Sequence, residues 1–568
     1  MLKQNKFSVL IALIATSSIL LAACGQAAPA PVAQVPTNTQ APAAPAATDA
    51  PAAATLAPAA TSTPDPSGGV LTMGLGSEPE TLDPGDAVMV QEQLILLNLF
   101  DSLLATAPDA SLHPGLALSW TPNADYTEFA FKLRQDVKFH DGTPFTGKAV
   151  KATFDHIVSA DVLDSGGKTL LADHKYTETV VTDDFNITVK FAGSYPTFLR
   201  DAGRQWLSIS SPTALEKYGK DYGRNPVGTG PFKFVKWDSQ SQIIVERNPD
   251  YTWSPEFAAH KGPAYLDQVI FRILPEAATR LTALQTGELQ IASEPPALDA
   301  IDMASSQQAV IKTFAQPGIP AIMMVNTEKE PTNDINVRKA MILSINQDEL
   351  AKTAFKDLGI PTYSVISPTT WAFDPKSADL YRFNLEEAGR LLDESGWKDT
   401  NGDGIREKGG KNLTLDYITS PVWEEAFNEL LSGYLQKAGF EVKMRAMDDA
   451  GIGSEASAGN YSFLYIYWTR VDPTPLRSLF HSANINGGSA YTRFVNPELD
   501  KLLEDGDIQT DENIRKQDYV TAQQIIMENA LVLPLFTVNM VYLNSPVVQN
   551  FSFDLEGYPW FYDMTLAK

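Results

Sequence analysis

The sequence predicts an α/β protein made of more than one packed unit. Segments of period-two apolar alternation are interspersed with segments of helical period along the whole chain, and no internal repeat is visible. At 568 residues the chain also exceeds one ordinary domain of about 100–200 residues. Hydrophobic residues are 44% of the total and aromatic residues 10%, enough apolar material for two or three cores.

Taken in order, the first segment is an export signal. Lys3 and Lys6 precede an apolar run from Phe7 to Leu21, shorter than the roughly 20 residues a membrane span needs. It ends in Leu21-Ala22-Ala23-Cys24-Gly25, which is similar to a bacterial lipobox. Cleavage before Cys24 would leave that thiol, the only one in the chain, to carry lipid. Residues 1–23 are therefore expected to be a lipoprotein signal peptide and 24–69 a tether. Between Gly25 and Ser67 stand nine prolines and sixteen alanines, a composition that fills no core and favours extended polyproline backbone.

The folded body begins at Gly69 to Leu75, an alternating strand followed by a Pro- and Asp-rich loop from Glu78 to Asp86. Gln91 to Leu104 has helical spacing. Phe129, Phe131, Leu133 and Val137 alternate with polar residues as in a half-buried strand, closed by the turn His140-Asp141-Gly142-Thr143-Pro144. Thr146 precedes a helical run through Phe154 and Ile157. Further helices are expected over 279–289, 336–345, 385–392, 424–438 and 513–528, with strands over 413–418, 461–467 and 531–536. Gly228, Gly230 and Pro231 read as a tight turn using backbone conformations open to glycine.

Composition excludes several functions. The formal charge of −25 argues against binding phosphate backbones, so no nucleic-acid partner is expected. A single cysteine excludes a disulfide framework and Cys-cluster metal sites, and the six histidines form no HExxH pair. Gly-x-Ser-x-Gly is absent, so an exported hydrolase is disfavoured. Asp399-Thr400-Asn401-Gly402-Asp403-Gly404 has the first half of a calcium loop, but Gly410 stands where the twelfth position needs Glu; a surface turn is the reading. No metal or cofactor is expected.

From Leu118-Ser119-Trp120 through Val137-Lys138-Phe139-His140-Asp141-Gly142-Thr143-Pro144-Phe145-Thr146 the chain resembles family 5 of the extracellular solute-binding proteins, the peptide- and nickel-binding group that serves ABC importers. Asn225-Pro226-Val227-Gly228-Thr229-Gly230-Pro231-Phe232 with Arg247-Asn248-Pro249-Asp250-Tyr251, then Arg280 to Glu288, Val337 to Leu350, Trp468 with Asp472-Pro473, Asn496 to Asp500 and Leu533 to Phe536 follow in the family's order. Gln290 and Asn346 depart from it, standing where the family usually has Asp.

The resemblance implies a two-lobed periplasmic-binding-protein type II-like fold with hinge strands. Lobe I would comprise 70–318 and 535–568, and lobe II 319–534. It implies a lipid-anchored receptor, monomeric, on the outer face of the cytoplasmic membrane, handing a di- or oligopeptide to ABC permease subunits. A sugar, an opine or a metal chelate remains open as ligand, and ligand sensing as role. In peptide-binding members a carboxylate after the second-lobe Trp meets the peptide α-amino group; here Asp472 is the nearest one, and a turn or cap before Pro473 is its alternative role. Arg470 would either hold a ligand carboxylate or neutralise Asp472, and Trp468 would stack on ligand. Met89, Gln91, Glu92, Tyr363, Trp371, Tyr491 and Arg493 complete the candidate contacts.

Overall fold

The computed structural model describes residues 68–567, except 109, 163–165, 173 and 421–424. The expected signal peptide, Cys24 and the tether through Ser67 lie outside the described residues. Among the described residues no helix is long and apolar enough to cross a membrane.

Two large mixed sheets organise the chain. In the seven-stranded one, Val70–Leu75 lies at the centre, parallel to Gln268–Ile273 on one side and to Ile291–Ser293 on the other. Asn539–Asn544 and Val310–Ala315 extend it beyond Ile291–Ser293, and Gln242–Arg247 and Phe232–Asp238 extend the opposite edge. Leu71, Met73, Leu75, Val269, Phe271 and Ile291 drop into one large core. A four-stranded antiparallel sheet packs on that core, and Glu128–Leu133 within it buries Phe129, Phe131 and Leu133 as the alternation predicts.

The six-stranded sheet has the order Ile360–Pro361, Val532–Thr537, Gly318–Val325, Phe463–Thr469, Thr414–Thr419, Glu441–Ala446. Every residue of Gly318–Val325 is buried, because helices cover both faces of the sheet and give it two cores. One core takes Met323, Leu415, Tyr417 and Leu435; the other takes Ile322, Met324, Leu464 and Tyr519.

The chain passes between the sheets twice within the C-terminal half. Val310–Ala315 belongs to the first sheet and Gly318–Val325 to the second; Val532–Thr537 belongs to the second and Asn539–Asn544 to the first. The Gln316 amide donates to the Val538 carbonyl (2.9 Å), tying the crossings together. The second crossing therefore falls at Val538 rather than at 535. Leu535 and Phe536 fill a second-sheet core, and that burial carries the strand past the expected boundary.

Two local expectations change. The helix expected over 91–104 ends at Leu99, because Phe100 turns extended (φ −128°, ψ 157°). The next residue, Asp101, then accepts hydrogen bonds from Thr229 Oγ1 (2.8 Å), Tyr251 Oη (3.1 Å) and Trp253 Nε1 (3.0 Å). Gly228 and Gly230 are required for close approach, not for a left-handed backbone. A Cβ on Gly228 would sit 2.2 Å from the Leu99 carbonyl oxygen, and one on Gly230 would sit 2.6 Å from the Leu99 carbonyl carbon. Neither residue is among the glycines of positive φ.

Candidate ligand-binding cleft

Backbone register shows where the two sheets face each other. In the first sheet Ser293 pairs with Tyr542 and Ala315 with Asn539, so the carboxyl ends of the parallel strands Val70–Leu75 and Ile291–Ser293 lie beside the crossings. In the second sheet Thr469 pairs with Gly318, and Thr414–Thr419 runs parallel to Phe463–Thr469. Their carboxyl ends meet the crossings too. Open α/β sheets bind ligands outside such carboxyl ends, where the loops leave a crevice. A cavity of about 170 Å³ lies on the first-sheet side of this boundary, walled by Phe100, Tyr251 and Trp560 with Arg204 and Glu556, and only Val471 and Asp472 reach it from the second-sheet side.

The end of Phe463–Thr469 and the segment after it hold three of the expected contact residues. Trp468 is 37% exposed at the end of its strand, so its ring is available rather than consumed by a core. Asp472 is already occupied: Arg515 Nη1 and Nη2 donate to its two oxygens at 2.7 and 2.6 Å, and the Thr474 amide donates to Oδ1 at 3.1 Å. Burial pushes its carboxyl pKa up, but the charge and hydrogen bonds of Arg515 outweigh this and hold it below the usual carboxylate range. Arg470 is therefore not the counter-ion of Asp472. Its guanidinium reaches towards the first-sheet side, 4.0 Å from Asp201, and its Nε is buried with no hydrogen-bond partner among the described residues.

Asp201 belongs to a network of charge at this boundary. It accepts from Tyr195 Oη (2.8 Å) and lies 4.0 Å from Arg204, which donates to Glu556 at 2.6 Å. Asp554 accepts from Gln205 Nε2 (2.8 Å); burial first and the neighbouring Glu556 second push its carboxyl up to about 7. Arg200 pairs with Glu512 on the helix Glu512–Glu528, the helix that carries Arg515. Trp371 lies between Arg200 and Arg515, whose guanidinium carbons are 5.7 and 5.3 Å from its ring centre. These contacts hold the two halves against each other.

The remaining expected contacts divide. Gln91 donates to Glu294, which follows the strand Ile291–Ser293, at 3.5 Å. Glu92 is buried and structural: its oxygens accept from the amides of Glu80 (2.9 Å), Thr81 (3.1 Å), Val88 (2.6 Å) and Met89 (2.7 Å), fastening the loop and the start of the helix Val90–Leu99. Met89 is the residue that precedes that helix. Tyr363 stacks under Arg382 (3.8 Å) at the sheet's edge. Tyr491 and Arg493 are at the opposite end of the second sheet. Thr492, between them, receives the Thr327 amide just beyond Val325, and Arg493 pairs with Glu328 at 2.6 Å. Six strand residues separate Ile319, beside Trp468, from Val325, about 20 Å.

Arg200, Asp201, Arg204, Glu294, Asp554 and Glu556 were not anticipated. They come from three separate stretches, 200–204, 294 and 554–556, and only Glu294 carries a local signal, an acid between a short apolar strand and Pro295-Pro296. The two motif departures have structural duties: Gln290 accepts the Thr72 amide (2.8 Å), and Asn346 caps the helix Gln347–Phe355 through the Glu349 amide (3.1 Å). The carboxylate oxygens of Asp399, Asp403 and Glu407 gather within 4.8 Å in an exposed turn. Asp399 accepts the Gly402 and Gly404 amides and Glu407 the Thr400 amide.

The family model described as bacterial extracellular solute-binding proteins, family 5, matches residues 111–488. The glutathione-binding protein GsiB of Salmonella typhi is 26% identical over 499 residues, covering 85% of this chain and 91% of that protein. The periplasmic binding protein DppA of Helicobacter pylori, solved with the peptide STSA, superposes with a TM-score of 0.69 at 24% identity, covering 88% and 99% of the two chains. NikA of Brucella suis, solved with Fe(III)-EDTA, superposes with a TM-score of 0.75 at 21% identity and the same coverages. The two-lobed fold of these binding proteins is the one described above, and the chain belongs to the bacterial extracellular solute-binding proteins of family 5.

Proposed function

We propose that this protein captures a di- or oligopeptide between its two lobes and presents it to the permease subunits of an ABC importer, without catalysing a reaction. The carrying observation is the convergence of strand carboxyl ends from both sheets on the crossings, where the Arg470–Asp201 and Arg200–Glu512 pairs link the two sides. Peptide and glutathione binding by the relatives above supports peptide as the ligand class. Lobe I would be 70–318 with the segment after Val538, lobe II the residues between, and the crossings would act as hinges. Cleavage before Cys24 and lipid on its thiol would hold a monomer at the outer face of the membrane, with 25–67 as a stalk. The test is mass spectrometry of ligand released from purified protein, followed by calorimetry with the compound found. Peptides bound at one per chain are expected; a sugar or a metal chelate as the released species would replace the peptide assignment.

A further inference from the structure

Glu294 follows the strand Ile291–Ser293 at the carboxyl ends of the first sheet, and its amide donates to the Val541 carbonyl, three residues from the crossing at Val538. Its backbone stands at φ +50°, in the left-handed region that non-glycine residues rarely adopt. The other carboxylates described above each have a close donor within the protein: Glu92 four amides, Asp101 three side chains, Asp472 Arg515, Asp201 Tyr195, Asp554 Gln205 and Glu556 Arg204. Glu294 is different. Its side chain is 30% exposed, Oε1 receives only the long 3.5 Å contact from Gln91, and Oε2 receives no hydrogen bond among the described residues.

The neighbouring cation does not fill that vacancy. Arg280 lies 3.9 Å away, but Nε donates to the Ser293 carbonyl, Nη1 to those of Leu274 and Pro275, and Nη2 to that of Glu294 itself. Its donors thus brace the backbone that carries Glu294 and leave the carboxylate's own acceptor sites open. Gly76 keeps the space beside them clear, since a Cβ there would sit 2.5 Å from Oε2. A partly desolvated carboxylate with free lone pairs, in strained backbone and braced from behind, is built to receive donors from outside the protein.

We propose that Glu294, assisted by the Gln91 amide oxygen, binds the ammonium group of the ligand, and that a free amine is therefore what the cleft selects. This rests on the peptide reading above and assigns amine recognition to Glu294 instead of Asp472. An ammonium has three donors, which the two Glu294 oxygens and Gln91 Oε1 would accept.

The probes are a casein digest and the same digest acetylated at every amine, each passed over the full exported chain, with captured peptides counted by mass spectrometry. The wild type should retain peptides from the first digest and almost none from the second. Glu294→Gln, with an unchanged melting temperature, should bind a captured peptide at least about 30-fold more weakly, because one partner of a desolvated charge pair is lost. Zero-length carbodiimide coupling on the wild type, which joins an amine to a carboxylate in contact, should place the peptide α-amine on Glu294, and needs no variant to fold. Equal capture of both digests, unchanged affinity in a folded Glu294→Gln, or coupling to Asp472 would each overturn the proposal. Capture of neither digest would instead remove the peptide reading beneath it.

Discussion

Replacing Asp472 by Asn would separate a structural from a ligand-binding carboxylate. Asn keeps the oxygen that accepts the Thr474 amide and the shape of the side chain, but removes the charge facing Arg515. Arg515 is 4% exposed and Asp472 14%, so the guanidinium would be left charged in a site with little water. Breaking one side of such a buried pair costs about 3–5 kcal/mol. For a unit of about 200 residues, each kcal/mol lowers Tm by about 2–4 °C, so a fall of roughly 6–20 °C is expected by scanning calorimetry. The sign with pH is also set. The folded pKa of Asp472 is depressed, so its stabilisation is present above the unfolded value near pH 4 and is lost as pH falls through the lower folded value. Wild type and variant should therefore converge in acid. Asp472→Leu combined with Arg515→Met should recover most of the loss, since no charge remains buried. A variant Asp472→Asn that melts within 2 °C of wild type but no longer binds ligand would refute the assignment and return the carboxylate to the ligand.

Other perturbations test neighbouring parts of the argument. Glu92→Ala should destabilise by about 2–4 kcal/mol in urea titration, because four amides lose their acceptor. Asp554, pushed up to about 7, binds a proton in the folded state that the unfolded chain releases near pH 4, so it makes stability decline as pH rises from 4 to 7. Asp554→Asn should flatten that decline in a Tm series across pH, and an unaltered slope would show that the carboxyl ionises normally. Arg470→Ala together with Arg200→Ala removes two ion pairs that join the second-sheet side to the first and should enlarge the radius of gyration of ligand-free protein in X-ray scattering. Trp468→Ala should weaken binding by about tenfold with Tm unchanged, as expected for an exposed ring that packs on ligand and not on a core.

Much of the fold was legible because its signals are local. The helices expected over 336–345, 385–392 and 513–528 appear as Ile335–Leu343, Leu385–Glu394 and Glu512–Glu528. The strands expected over 413–418 and 461–467 appear as Thr414–Thr419 and Phe463–Thr469. Periodicity is written in neighbouring residues and survives folding. The family's ordered motifs carried the architecture, and the family match over 111–488 covers all of them but Asn496 to Asp500 and Leu533 to Phe536. The candidate cleft was legible only in part. Asp472 lines the cavity but is held by Arg515, whereas Arg493 pairs with Glu328 at the distant end of the second sheet.

By itself, the sequence determined that this is an α/β binding protein of family 5, and that Trp468, Arg470 and Asp472 share one short segment after a strand. It left two roles open for Arg470. Tertiary structure decided between partners: Arg515, forty-three residues away in sequence, neutralises Asp472, while Arg470 crosses towards Asp201 in the other lobe. It also set Glu294 apart, whose carboxylate has only a 3.5 Å contact from Gln91 and Arg280 at 3.9 Å among the described residues. Which carboxylate is occupied and which stands free depends on donors brought together from distant parts of the chain, and pairing at such range leaves no trace in local spacing.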